Sequence, residues 1–212
     1  RSLEKANSSL YVGHLFTVEH WTFIHYHTKF GGKHMKISPT LTEVKEIAKT
    51  GKYDILPVSC EILSDFITPI EAMRILQNVS THCYLLESAQ ANEAWGRYTF
   101  LGYDPKLEIN CIDGHMKLGK LSVETENPSE YIRQILSEYK SPKFDYLPSF
   151  TGGLVGYFSY DYLGYKEKSI RGKARDTEDF KDVDLMLFDQ VIAFDTLCQK
   201  LILIAHMSLD AP

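Results

Sequence analysis

Two apolar runs near the end of the chain, Leu185–Asp195 and Lys200–Met207, restrict the fold more than any other feature. Both are rich in branched and aromatic residues, neither alternates cleanly with polar ones, and a short turn separates them. That is the profile of an antiparallel pair in a buried sheet. A buried pair needs layers above and below it, which the rest of the chain has to supply. With 212 residues it can, because a chain of this size buries roughly 70% of the surface that its unfolded form exposes.

The other segments are short and irregular in order. Thr40-Leu41-Thr42-Glu43 is a capping box that opens a helix with Leu41, Val44, Ile47 and Ala48 on one face and Gly51 as its stop. Asp54–Ile62 reads as a strand, which Pro57 confines to an edge or a bulge. Thr68-Pro69-Ile70-Glu71 starts a second helix that runs to about Asn78. Cys83–Leu86 and Tyr98–Gly102 are short strands, and Asp113-Gly114 joins Leu107–Ile112 to His115–Leu118 as a tight hairpin. Ser129 caps a third helix carrying Ile132, Ile135, Leu136 and Tyr139, and Leu154–Tyr160 is a strand entered through Gly152-Gly153. Lys166–Asp182 is polar, of mixed charge, and reads as a solvated loop. Helices and antiparallel strands in this order imply an α+β fold of layered antiparallel sheets with short helices.

Composition removes several classes of function. The net charge of −5, with basic residues scattered among acids, leaves no stripe for a nucleic acid backbone. Cys60, Cys83, Cys111 and Cys198 have no metal-type spacing and read as reduced thiols. No run of about 18 apolar residues offers a membrane span, and the expected location is the cytoplasm. Residues 1–34 are aromatic and His-rich, unlike the amphipathic pattern after Met35. We therefore expect Met35 to be the natural start, 1–34 to be non-native or upstream sequence with an incidental His25-x-His27 pair, and 35–212 to be one domain.

The residues alone do not define a reaction. Gly152-Gly153-Leu154-Val155-Gly156 precedes a strand and is not followed by Gly-Lys-Ser/Thr, so its glycines serve the backbone rather than a phosphate. No metalloprotease, nucleophile-elbow or Cys/His pattern occurs. Leu85-Leu86-Glu87-Ser88, at a strand end, leads into a polar stretch that reaches Arg97. A carboxylate and a hydroxyl there can hold an ammonium, and a guanidinium can meet a carboxylate, which together would clasp an amino acid. A surface salt bridge between Glu87 and Arg97, with Ser88 capping a turn, is the simpler reading of the same residues.

Leu85-Leu86-Glu87-Ser88, Trp95-Gly96-Arg97-Tyr98-Thr99-Phe100-Leu101-Gly102 and Phe150-Thr151-Gly152-Gly153-Leu154-Val155-Gly156-Tyr157-Phe158-Ser159-Tyr160-Asp161 closely resemble the amino-terminal region of anthranilate synthase component I. Pro57-Val58-Ser59, Thr68-Pro69 and Asp184-Leu185-Met186-Leu187-Phe188-Asp189 fit the same family in the same order. The resemblance runs from about Thr40 to Met207. It implies an α+β sandwich and a site for the inhibitor L-tryptophan at Leu86, Glu87 and Ser88, with Arg97 as the basic partner. It further implies that chorismate and Mg²⁺ bind in a catalytic half that resembles nothing between Arg1 and Pro212. No catalytic or metal residue is therefore expected in this chain, which alone would be inactive. A glutamine amidotransferase subunit would supply the ammonia.

Two alternatives remain at this level. Aminodeoxychorismate synthase component I has a similar amino-terminal half, and a stand-alone amino-acid-binding module would need no enzyme attached.

Overall fold

The computed structural model describes residues 37–87, 96–170 and 180–209. In chain order these form β1 (Ile37–Ser38), α1 (Leu41–Lys49), β2 (Ile55–Leu63), α2 (Pro69–Leu76), β3 (Cys83–Leu86), β4 (Tyr98–Tyr103), β5 (Leu107–Ile112), β6 (His115–Leu118) and β7 (Leu121–Glu124). Then come α3 (Pro128–Ser137), β8 (Gly153–Phe158), a 3-10 turn (Tyr160–Tyr165), β9 (Val183–Phe188), β10 (Gln190–Asp195) and β11 (Lys200–Ser208). The strands make two antiparallel sheets, β1-β2-β11-β10-β4-β3 and β7-β6-β5-β9-β8. The fold is α+β, as the sequence implies.

Local chemistry sets the element ends. The Thr40 hydroxyl accepts from the Glu43 amide at 3.4 Å while the Glu43 carboxylate accepts from the Thr40 amide at 2.7 Å, so the capping box starts α1. Thr68 accepts from the Glu71 amide at 3.2 Å ahead of Pro69 and starts α2. Asp113 and Gly114 both take positive φ, 47° and 83°, which turns β5 into β6. In α3 the N-cap is Asn127 and not Ser129, because Pro128 is pre-set for the first turn. The Ser129 hydroxyl donates to Asn127 Oδ1 at 2.7 Å, and Tyr139 lies beyond the helix.

The segment 185–195 is not one strand. It divides at Asp189 into β9 and β10, which belong to different sheets, and only β10 pairs with β11. The division is held by His206: its amide donates to the Asp189 carbonyl at 2.9 Å and its half-buried ring lies 3.2 Å from the same oxygen. Burial lowers the His206 pKa below the ordinary imidazole value. Pro57 sits in a nine-residue strand flanked by β11, but β1 reaches only Ser59 and Cys60 on the other side. Proline thus occupies a stretch that is locally an edge. The polar loop also ends differently from its composition: Asp182 is buried, accepting from the Tyr165 hydroxyl at 2.6 Å and the Asp113 amide at 2.8 Å.

Alternation gives the first sheet two covered faces. Leu101, Phe194, Leu201 and Leu203 pack with Ala72 and Leu76 of α2. Val191, Ala193, Ile202 and Ile204 form the other face, against Tyr98, Phe100, Leu147 and Phe150. Gly102 lies opposite Tyr84, and a Cβ there would strike the tyrosine ring. The second sheet buries Ile109, Met116 and Val183 completely beneath Ile132 of α3 and Tyr165. Each such side chain contributes roughly 1.5–3 kcal/mol.

Candidate functional site

β3 is the last strand of its sheet and ends at Leu86, which pairs in register with Phe100. Alternation puts Leu86 on the face shared with Tyr84, Tyr98, Phe100 and Phe150. Phe100 stands edge-on to Phe150 at 5.5 Å and lies 5.8 Å from Tyr98, so a half-buried aromatic wall borders the strand end. Leu86 is 46% exposed, and Glu87 beside it is also exposed. Ser88 lies outside the described residues.

The Tyr84 ring sits edge-on to Phe188 at 4.7 Å. Its buried hydroxyl finds no partner among the described residues, and burial raises its pKa above the ordinary phenol value.

Arg97 precedes β4 and lies three positions before Phe100, about 10 Å along the strand direction at ~3.4 Å per residue. Its carboxylate partner is Asp195 rather than Glu87. Nε donates to Asp195 Oδ1 at 3.0 Å and Nη2 to Oδ2 at 2.6 Å, a bidentate pair. The Leu197 and Cys198 amides also donate to Oδ1, at 3.1 and 3.0 Å. From the same turn, the Thr196 amide and hydroxyl donate to the Arg97 carbonyl at 3.0 and 2.9 Å. Burial alone would raise the Asp195 carboxyl. The bonds from Arg97 and the Cys198 amide outweigh it and hold the group below the usual carboxylate range.

The structure thus sets Leu86 beside an aromatic wall the sequence reading missed, with exposed Glu87 next in the chain, and it ties Arg97 to Asp195, also missed. The signal for Asp195 was weak: Asp-Thr at the mouth of a turn is ordinary turn chemistry, and its partner lies 98 residues away. A cleft of about 550 Å³ opens elsewhere, between Thr40, Glu43, Glu46 of α1, Ser59 and Glu61 of β2, and Phe144 and Tyr146. It shares no residue with the strand-end site. Among the described residues, no three His, Cys, Asp or Glu side chains are grouped to hold a metal ion, and no helix is long and apolar enough to cross a membrane.

No family model matches the chain. Curated relatives do. Anthranilate synthase component 1 of Acetivibrio thermocellus is 33% identical over 176 residues, 81% of this chain and 35% of that protein. The protein of the same name in Pseudomonas aeruginosa is 36% identical over 155 residues, covering 70% of this chain and 31% of its own length. The chain belongs to the anthranilate synthase component 1 family. A plant relative, anthranilate synthase alpha subunit 2, chloroplastic, of Oryza sativa, is 34% identical over 179 residues, 76% and 29% of the two chains. A crystal structure of anthranilate synthase component I from Streptococcus pneumoniae TIGR4 is similar, with a TM-score of 0.47 and 25% identity over 70% of this chain and 32% of that one. The chain spans about a third of the length of the curated relatives it matches.

Proposed function

We propose that the chain is the amino-terminal, inhibitor-binding part of an anthranilate synthase component 1, and that L-tryptophan binds at Leu86, Glu87, Ser88 and Arg97. The observation that carries this reading is the open end of β3. An exposed leucine stands there against an aromatic wall, an exposed carboxylate follows it, and a guanidinium oriented by Asp195 stands at the start of the neighbouring strand. These are the three chemistries an aromatic amino acid needs: apolar surface for the indole, an anion for the ammonium and a fork for the carboxylate.

The reaction belongs to the part of the polypeptide this chain does not span. There chorismate would be aminated and pyruvate eliminated to give anthranilate, with Mg²⁺ holding the substrate carboxylate and stabilising developing charge. Ammonia would come from a glutamine amidotransferase subunit, in the cytoplasm. Tryptophan would act by favouring a state in which the distant site is misaligned, a coupling of two sites.

The test uses the full natural gene product with chorismate, Mg²⁺ and ammonium, following anthranilate fluorescence and pyruvate with and without tryptophan. We expect both products, suppressed by tryptophan, and suppression weakened by Glu87→Lys and Ser88→Phe with turnover nearly intact. Unchanged inhibition in both variants would refute the site. A product that keeps the pyruvyl ether would move the chain to aminodeoxychorismate synthase.

A further inference from the structure

We propose that Asp195 is the positioning residue of the inhibitor site, holding Arg97 so that the outer end of its guanidinium meets the carboxylate of the bound amino acid. This rests on the reading given above. Asp195 is 3% exposed and cannot touch a ligand, so it acts only through Arg97, which is 35% exposed. A planar guanidinium offers two edges for bidentate contact. Asp195 occupies the side edge, Nε with Nη2. Against Nη2 there is also the Cys198 thiol at 3.5 Å, a weak acceptor that an incoming carboxylate would displace.

The grip is built from more than one ion pair. The turn between β10 and β11 fixes Asp195 through two backbone amides and fixes the Arg97 carbonyl through Thr196, while the guanidinium lies 4.9 Å over the Tyr98 ring. Both ends of a long, otherwise flexible side chain are therefore set before a ligand arrives. Pairing with Asp195 cancels much of the net charge of Arg97, so what remains for the ligand is directed N–H groups rather than long-range attraction. Arg97 pre-aimed in this way would recognise a carboxylate by geometry, at a small entropic cost on binding.

The test compares L-tryptophan with tryptamine, which has the indole and the ammonium but no carboxylate. Both are titrated against the full natural gene product by calorimetry, for the native protein and for Asp195→Asn and Arg97→Lys. The lysine variant keeps the charge and loses the fork, and it stands in if Asp195→Asn does not fold. We expect each variant to weaken tryptophan by about tenfold or more, the scale of one lost charge-assisted bidentate contact, with tryptamine unmoved. Equal loss of both ligands would make the pair a scaffold only and overturn the proposal, as would tryptophan binding unchanged in both variants. Native protein that binds no tryptophan at all would end the parent reading and this one with it.

Discussion

Gly156 gives the sharpest check on the packing of the second sheet. It lies in β8 opposite Leu185, at φ +150°, and a Cβ added there would press into the Asp184 carbonyl and come within 2.9 Å of the Leu185 Cα. Both obstacles are backbone of β9, which cannot swing aside as a side chain can. Gly156→Ala therefore combines conformational strain of about 1–3 kcal/mol with forced separation of two strands, which costs a similar amount. We expect a total of about 4 kcal/mol. Gly51 separates the two causes, because it also has positive φ, +62°, but nothing lies within 4 Å of an added Cβ. Gly51→Ala should cost only about 1 kcal/mol. The assay is urea unfolding of the three proteins followed by circular dichroism and tyrosine fluorescence. In thermal unfolding the midpoints should fall by roughly 8–16 °C and 2–4 °C respectively. Equal losses in the two variants would refute the close-approach argument.

Other outcomes can be checked as directly. The Asp195 carboxyl titrates below its unfolded value, so its contribution is fully present above about pH 4 and is lost as pH falls through the lower folded value. Asp195→Asn should cost about 2 kcal/mol at pH 7 and flatten the acid limb of a stability-against-pH curve; an unaltered limb counts against the pair. Burial, with Glu61 adding to it, pushes the Cys60 thiol up to about 11. Iodoacetamide at pH 8 should thus modify exposed Cys198 well before Cys60 in the folded protein, as mapped by mass spectrometry. Faster labelling of Cys60 would show that β2 opens.

Elements whose chemistry is local could be read from the sequence. The Thr40 and Thr68 caps and the Asp113-Gly114 hairpin each involve residues a few positions apart. What escaped was long-range. Leu185–Phe188 and Val191–Phe194 are both apolar, with only Asp189 and Gln190 between them, and periodicity cannot reveal that the two halves are buried in different sheets. Asp182 looks like loop because its burial depends on a tyrosine hydroxyl and the amide of a distant hairpin. At the candidate site the family likeness pointed to Leu86, Glu87, Ser88 and Arg97. The wall of Tyr98, Phe100 and Phe150 and the grip of Asp195 required strand register, which comes only from pairing.

The passage from β9 to β10 has a mechanical meaning. A single residue, Asp189, carries the chain from one sheet into the other, and His206 holds its carbonyl from a third strand. A link that short leaves little slack between the two sheets, and a register slip of one residue in either strand would turn its buried side chains to the opposite face. The joint behaves as a weld rather than a hinge. The strand end at Leu86 is thereby joined by a short route, through β4, β10 and the Asp189 link, to β9 and β8 at the edge of the second sheet.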